Sequence, residues 1–447
     1  MEKLLIRGGH VLDPSRGIDA EMDLLIEKGR IAALGPPGTL LAEEILAAHG
    51  RCVVPGFVDM HTHLREPGFD YKETIRTGTA AAAAGGFTSV ACMANTQPVN
   101  DNRTVTEYIL EKARLEGSAN VYPIGAVSKG LGGEELAEIG EMAEAGIVGI
   151  SDDGQPVRDS HLMRRALEYA SMFGLPVISH CEDKTICPGG VMNESFVSTE
   201  LGLNPIPNAC EEIMVARDIL LAELTRGRLH IAHVSTAGSV HLIRDAKRRG
   251  VPVTCEVTPH HLFLTDEAVR SFDTTTKVNP PLRTAADGAA LREGLRDGTI
   301  DAIATDHAPH EQAAKELDFS MAPFGLIGLE TAFPLCLRLV KEGVLTLSQL
   351  IAKMTVEPAR ILSIPKGSLA VGSDADLAIL DLEKRYVIDV RNFRSRSRNC
   401  PFDGWEVQGK AVCTLRAGEI VYEAENLRER SARTSWSYDN LPRKIVY

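Results

Sequence analysis

The middle of the chain alternates short apolar runs with longer amphipathic stretches. The stretches between the runs, such as ETIRTGTAAAAAG and SHLMRRALEYASMFG, have a helical period and end in glycine, as helices often do. The apolar runs cover residues 56–61, 88–93, 121–127, 147–152, 176–180, 229–234, 252–258 and 301–306. Eight strand-then-helix units predict a (β/α)8 barrel. A doubly wound open sheet is the alternative, but no run opens into GxGxxG.

Both ends of the chain have a different pattern. Residues 1–55 carry short β-like pieces, such as KLLIRGGHVL and RCVVPG, and similar pieces return within residues 365–425. We therefore expect one composite β-sandwich domain from residues 1–55 and 365–425, around a barrel of residues 56–364. Residues 426–447 form a tail that is either disordered or docked on a neighbour.

Composition and charge exclude several classes of protein. Of the 447 residues, 44% are hydrophobic and 24% are charged, which is ordinary for a globular protein. The net charge of −13, with one short basic stretch at 391–398, argues against nucleic acid as a partner. There is no apolar run of membrane-spanning length and no signal-peptide pattern, so we expect a cytoplasmic protein without a membrane partner. The nine cysteines form no CxxC pair, and we expect them to be reduced and mostly buried.

Polar side chains end five of the eight predicted strands. Residues two apart on a strand face the same side, so His61 and His63 point together into the barrel mouth. The other polar side chains at strand ends are Asp152, Asp153, His180, His233, Asp306, His307 and His310. Any one of these nine residues alone could be a core histidine or a turn former, but the active sites of such barrels lie at the C-terminal strand ends. The combination predicts a metal site of nitrogen and oxygen ligands.

Two cations fit this set better than one, because four of its histidines together with two of its aspartates already exceed a tetrahedral site. A pair of cations needs a bridging ligand and lowers the pKa of bound water from about 15.7 to about 7.

The motifs HTHLREPG, MANTQP, SDDG, SHCED, AHVST, KVNPPLR, TDHAPH and APFGLIGLET resemble, in wording and order, those of the dihydroorotase family (class I bacterial type) of the amidohydrolase superfamily. The resemblance extends from about residue 5 to residue 425. It implies a zinc-dependent, reversible cyclisation of N-carbamoyl-L-aspartate to L-dihydroorotate in pyrimidine biosynthesis. It also implies a barrel with a small β-sandwich, in agreement with the segment pattern.

The resemblance implies roles for the strand-end residues. His61 and His63 resemble ligands of a first zinc, and His180 and His233 resemble ligands of a second. Many relatives bridge the metals with a carboxylated lysine, whereas this chain reads SDDG after the fourth strand, so Asp153 is assigned as the bridge. Lys129 after the third strand is the rival. Asp306 resembles the remaining metal-contacting carboxylate and the general acid/base.

The same resemblance implies the substrate contacts, which are Arg65, Asn95, Asn279, His310, Pro323 and Gly325. From the residues alone, Arg65 could equally form a surface ion pair, although an arginine can also fork onto a carboxylate. The two asparagines could be simple turn formers. Residues 308–325 are interpreted as a lid over bound ligand, with a plain surface connection as the alternative.

Two other functions remain open at this point. One is another cyclic amidase of the superfamily, such as a hydantoinase, dihydropyrimidinase or allantoinase. The other is a catalytically inactive scaffold for aspartate transcarbamoylase, although the ligand set is complete here. A homo-oligomer is also expected.

Overall fold

The computed structural model describes residues 3–428. In this part of the chain the strands are β1 Lys3–Asp13, β2 Ile18–Glu27, β3 Arg30–Gly35, β4 Glu44–Ala47, β5 Cys52–Pro55, β6 Phe57–Thr62, β7 Phe87–Cys92, β8 Asn120–Pro123, β9 Val177–Ser179, β10 Met192–Asn193, β11 Pro205–Ile206, β12 Leu229–Ile231, β13 Val253–Val257, β14 Ala302–Ile303, β15 Leu377–Val387, β16 Glu406–Arg416 and β17 Glu419–Glu423.

The α-helices of the same residues are α1 Ile75–Ala84, α2 Arg103–Glu116, α3 Ile139–Ala145, α4 Ser160–Ser171, α5 Phe196–Leu201, α6 Ala209–Thr225, α7 Ala237–Arg248, α8 Pro259–Phe263, α9 Ala285–Arg296, α10 Gln312–Lys315, α11 Ala332–Lys341, α12 Leu347–Met354 and α13 Val356–Leu362. Short 3-10 helices cover Lys129–Leu131, Asp266–Ser271, Thr274–Thr276 and Val390–Asn392.

Eight parallel segments close into a barrel, as the sequence predicts. β6, β7 and β8 pair in one run, and β9, β12, β13 and β14 pair in a second. Ile150 bridges Gly125 on one side and Val177 on the other, and His307 bridges Thr62. These three bridges join the two runs into a ring. The fourth strand, predicted at 147–152, is therefore present as a single bridging residue.

Several helices between the strands have a first turn that is capped by a side chain and one buried apolar face, among them α1, α2, α4 and α7. In α4, the Asp159 carboxylate accepts a hydrogen bond from the N–H of Leu162, which satisfies a free donor of the first turn. The buried face of α4 includes Leu162, Ala166 and Ala170, at helical spacing. Burying a leucine of this kind contributes about 1.5–3 kcal/mol. The helices thereby cover the strands and leave their C-terminal ends open at one face.

Strands from both ends of the chain form a single eight-stranded sheet beside the barrel. Its order is β17-β16-β15-β5-β1-β2-β3, with β4 on β1. β5 pairs with β1 in parallel and with β15 antiparallel, so the two ends of the chain share hydrogen bonds. The division into domains at residues 55 and 365 stays a proposal, and most of the predicted tail, residues 429–447, lies outside the described residues.

Among residues 3–428, no helix is long and apolar enough to cross a membrane.

All nine cysteines are free and buried, as predicted.

Candidate metal centre and active site

The six predicted metal ligands lie together at the C-terminal end of the barrel. They come from the ends of five parts of the strand ring, and none is more than 8% exposed. They are His61 and His63 at the end of β6, Asp153 after the Ile150 bridge, His180 after β9, His233 after β12 and Asp306 after β14.

Asp153 lies at the centre of this cluster. Its Oδ1 is 3.4 Å from Nδ1 of His180 and 3.4 Å from Nε2 of His233. The same oxygen is 3.5 Å from Nε2 of His61, and Oδ2 is 3.4 Å from Nε2 of His63. This carboxylate therefore approaches all four imidazoles, which is the position that a ligand shared by two cations would occupy.

Asp306 lies on the side of the cluster that holds the two strand-end histidines. Its Oδ1 is 3.0 Å from Nε2 of His63 and 3.6 Å from Nε2 of His61. Two groups of three residues each bring their donor atoms within 4.8 Å of one another. The first group is His61, Asp153 and His233, and the second is His61, His63 and Asp306. The two groups have His61 in common and each has its own carboxylate, so two neighbouring cation sites fit this arrangement.

The donor atoms of this cluster suit a bound cation. Nε2 of His61 and Oδ1 of Asp153 lie 3.5 Å apart, and both atoms are buried without a hydrogen-bond partner. Buried polar atoms nearly always have partners, so two neighbouring atoms without one in the same cluster fit a bound cation. Imidazole nitrogens and carboxylate oxygens are the donors that zinc and similar transition metals take. The residues therefore fit the metal that the sequence predicts.

The electrostatic potential within the cluster also favours a bound cation or protonated imidazoles. Burial lowers the pKa of His180, but hydrogen bonds and charges from Asp153 and Glu182 outweigh it and raise the pKa to about 9. Burial raises the pKa of Asp306, but the nearby imidazoles of His61 and His63 hold it well below its usual range. The carboxylates therefore stay ionised at neutral pH, and a metal cation can replace the protons on the imidazoles.

Three residues at the site have backbone conformations that side chains other than glycine rarely adopt. The φ angles are +64° for Arg65, +33° for His233 and +49° for Asp306. Such strain occurs most often where function requires a side chain to point in a set direction.

Glu256 on β13 was not predicted from the sequence, yet it fixes one of the predicted ligands. Its Oε1 is 2.6 Å from Nδ1 of His61, and its Oε2 is 3.3 Å from Nε2 of His230. It also accepts a hydrogen bond of 3.4 Å from the N–H of His233. A carboxylate on the second nitrogen of a metal-binding histidine holds the ring in position and fixes its tautomer. A charged residue inside the apolar run PVTCEVT is the signal that could have revealed it.

We expect the change Glu256→Gln to weaken metal binding about 10- to 100-fold, because the neutral amide cannot anchor His61 and His233 as the carboxylate does. Competition with a chromophoric chelator measures this affinity. Glu330→Gln, which changes a half-buried carboxylate outside the site, serves as the control and should bind metal as the wild type does. Equal affinity in both variants would show that Glu256 does not orient the ligands.

Glu182 and Asn95 orient two other predicted ligands, His180 and His63, in the same way. Oε2 of Glu182 is 3.1 Å from Nε2 of His180 and accepts a 3.0 Å hydrogen bond from Nδ2 of Asn279. Oδ1 of Asn95 is 2.9 Å from Nδ1 of His63. Both predicted substrate asparagines are thus linked to the metal cluster and are not simple turn formers.

The structure separates Asp153 from its neighbour Asp152 and from Lys129. Asp152 accepts hydrogen bonds from the N–H groups of Val127 and Ser128, which ties the third and fourth strands together. The Lys129 ammonium group lies 3.4 Å from Glu135, and its side chain is 55% exposed. Lys129 is also absent from the residues that line the cavity described next.

A cavity of about 500 Å³ opens above the cluster. Its walls include all six predicted substrate contacts, namely Arg65, Asn95, Asn279, His310, Pro323 and Gly325. Its floor includes His63, Asp153, His180 and Asp306. The structure therefore brings the predicted ligands and the predicted substrate contacts to one place.

Arg65 and His310 lie side by side at the wall of this cavity. Nε of Arg65 donates to the carbonyl of Pro309 at 3.2 Å, and Nη2 lies 3.5 Å from the His310 ring. Burial lowers the pKa of Arg65 to about 10, so the guanidinium is charged at neutral pH. Burial and the charge of Arg65 lower the pKa of His310 to about 2, so this imidazole is neutral. Its Nδ1 is buried without a partner.

Other histidines near the strand ends have structural partners. His307 lies 3.4 Å from Glu73 and accepts a 3.2 Å hydrogen bond from the N–H of Gly328. His261 lies between Thr258 Oγ1 and the Pro280 carbonyl. These contacts give His307 a structural role, and they place His261 outside the metal cluster.

Comparison with known sequences identifies relatives along nearly the whole chain. Two family models match, described as "Dihydro-orotase-like" over residues 50–239 and "Amidohydrolase family" over residues 214–422. A protein named dihydroorotase from Pelotomaculum thermopropionicum is 58% identical over 427 residues, which is 95% of this chain and 100% of the relative. Another of that name from Syntrophus aciditrophicus is 57% identical over 425 residues, again 95% and 100% of the two chains.

Similar solved structures are cyclic amidases of the same fold. The L-hydantoinase (dihydropyrimidinase) from Arthrobacter aurescens superimposes with a TM-score of 0.85 at 28% identity, covering 95% of this chain and 97% of that one. A dihydropyrimidinase from Brevibacillus agri gives a TM-score of 0.83 at 25% identity, covering 94% and 95%.

Proposed function

Since this chain belongs to the dihydroorotase family, we propose that the cavity of about 500 Å³ closes N-carbamoyl-L-aspartate to L-dihydroorotate, reversibly and with loss of water. The chain is a cyclic amide hydrolase of the amidohydrolase fold, and its reaction belongs to pyrimidine biosynthesis. The observation that carries the detailed proposal is the meeting of four imidazoles, two carboxylates and one arginine at a single cavity.

We propose two zinc ions as the cofactor, held by His61 and His63 on one side and His180 and His233 on the other. Asp153 would bridge them, and Asp306 would complete the first site. When bound, such cations polarise the ring amide carbonyl and lower the pKa of the attacking water. His61 and His180 are oriented for this task by Glu256 and Glu182, as described above.

We propose Asp306 as the general acid/base. Its carboxylate faces the cavity and is held ionised by the neighbouring imidazoles, so it can accept a proton from the attacking water. It then delivers that proton to the leaving ring nitrogen. In the synthetic direction the proton moves from the ureido nitrogen to Asp306, and from there to the departing water.

Arg65 supplies the charge that an anionic substrate needs in a protein with a net charge of −13. We expect Arg65→Lys to raise KM for both substrates about 10- to 100-fold, because an ammonium group cannot reproduce the planar fork on a carboxylate. Steady-state kinetics in both directions measures the change. Arg76→Lys on the exposed face of α1 is the matched control and should leave KM unaltered. If both variants bind substrate equally well, Arg65 is not a substrate contact.

The structural neighbours favour a second candidate, a hydantoinase or dihydropyrimidinase. Sequence identity counts against it, because it is 25–28% to these neighbours and 57–58% to two relatives named dihydroorotase. Parallel assays of the zinc-loaded protein on dihydroorotate, hydantoin and allantoin separate the candidates. We expect turnover of dihydroorotate to exceed the others by orders of magnitude. Preferred turnover of hydantoin would overturn the proposal.

The remaining proposals concern partners and location. We propose a homo-oligomer in the cytoplasm that acts on small molecules and binds neither nucleic acid nor membranes. A role in association with aspartate transcarbamoylase stays a prediction from the resemblance. The complete ligand set argues against a purely structural scaffold, and stoichiometric metal in the purified protein would confirm that argument.

A further inference from the structure

A buried asparagine from the C-terminal part of the chain holds both ends of segment 308–325. We propose that Asn399 is a positioning residue, which fixes this segment in the form that binds substrate. The proposal rests on the proposed function, because this segment carries three of the proposed substrate contacts, His310, Pro323 and Gly325. Asn399 itself does not line the cavity, and it lies outside every motif that carried the resemblance.

Asn399 belongs to a strap, defined here as residues 395–399, that contacts both the loop after β6 and segment 308–325. Ser395, Ser397 and Asn399 are buried, and the arginines between them are exposed. The Ser395 hydroxyl donates to the buried carboxylate of Glu73, and the Ser397 hydroxyl donates to the carbonyl of Lys72 at 2.8 Å. The strap is thereby fastened to the loop that follows β6. This explains the basic stretch 391–398, whose arginines alternate with side chains that face the barrel.

The side-chain amide of Asn399 makes three hydrogen bonds to segment 308–325, out of the four that such an amide can form. Nδ2 donates to the carbonyls of Ala308 and Gly325, each at 3.1 Å. Oδ1 accepts from the N–H of His310 at 3.2 Å. The residue is 4% exposed, so these bonds have no competition from water. One side chain thus joins the beginning of the segment to its end.

The two ends of segment 308–325 are in close contact beside the Asn399 side chain. Gly325 has φ +131°, and a Cβ there would lie 2.8 Å from the Cβ of Ala308 and 3.2 Å from the His310 ring. The His310 Nε2 lies 2.8 Å from the carbonyl of Phe324. The direction of the His310 ring, and with it the free Nδ1, therefore depends on the junction that Asn399 holds. The N–H and C=O of Gly325 are both bonded within the protein, so Gly325 contributes shape rather than a hydrogen bond.

Because the segment is already ordered, substrate binding need not order it. We expect Asn399→Ala to raise KM for dihydroorotate about 10-fold or more, with kcat within about twofold of wild type and metal content unchanged. Hydrogen exchange of the ligand-free protein, followed by mass spectrometry, should become faster in residues 308–327 and stay unchanged elsewhere in the barrel. The matched control is Asn392→Ala, which removes an exposed asparagine bonded to Asp389 and should change none of these quantities.

Asn399→Asp provides a second test if the alanine variant does not fold. Aspartate keeps the acceptor for the His310 N–H but turns a charged oxygen toward two carbonyls, so we again expect a raised KM. An unchanged KM in a folded variant whose exchange is accelerated would overturn the proposal, since the segment would then be loosened without effect on binding. A fall in kcat at unchanged KM would also overturn it. Absence of turnover by the wild type would instead overturn the proposed function, and the proposal would fail with it.

Discussion

The change Asp306→Asn should lower kcat for dihydroorotate hydrolysis by at least about 10²–10⁴, the usual contribution of a positioned general acid/base. An asparagine has nearly the same shape and keeps an oxygen near Nε2 of His63, but it cannot take a proton from water. Metal should be partly retained, because the other five proposed ligands are untouched. Stopped assays in both directions, on protein loaded with zinc, measure the effect.

Asp245→Asn on the surface of α7 is the matched control, since it removes a carboxylate far from the cluster at an exposed ion pair. We expect its kcat to equal that of the wild type. Turnover by Asp306→Asn near the wild-type rate would mean that another group moves the proton, while the metal ligands could remain as proposed.

Removal of the central carboxylate should have the second large effect. We expect Asp153→Ala to lose about one metal ion per subunit and to lower kcat more than about 100-fold, because loss of a residue that merely orients a ligand already costs 10- to 100-fold. Asp153 approaches His61, His180 and His233 with one oxygen, so both proposed sites depend on it. Metal analysis after dialysis, together with steady-state kinetics, provides the measurement.

Lys129→Ala is the control for this experiment, because Lys129 is the rival bridge in the sequence. It should keep full metal content and activity, since its side chain is half exposed and lies beside Glu135. Loss of metal from Lys129→Ala, with retention in Asp153→Ala, would reverse the assignment.

The barrel and the cluster could be predicted because their signals are local. A histidine pair two residues apart at the end of an apolar run points to one side of a strand, and the barrel rule then brings distant strand ends together. His61 and Asp306 meet in this way across 245 positions. The local sequence pattern, in contrast, does not distinguish Asp152 from Asp153. Neighbouring aspartates look alike in a sequence, and only the backbone decides which of them reaches the histidine cluster and which bonds to Val127 and Ser128.

Residues that support the site were harder to predict, because their partners are remote and their own surroundings look ordinary. Glu256 is 195 positions from His61, and Asn399 is 89 positions from His310. Glu256 is the penultimate residue of β13, but the apolar run continues past it to Val257, and Asn399 lies in a loop. A buried charge in an apolar strand is a usable signal for Glu256, whereas an asparagine in a polar loop is typical of turns. The fourth strand was predicted correctly in place but is shorter than its apolar run, since its pairing is limited to Ile150.

The most direct test of the account is anomalous X-ray diffraction at the zinc absorption edge from crystals of the zinc-loaded protein. We predict two peaks a few ångströms apart, one between His61 and His63 and the other between His180 and His233, with the Asp153 carboxylate touching both. No peak within coordination distance of these imidazoles in fully loaded crystals would contradict the account.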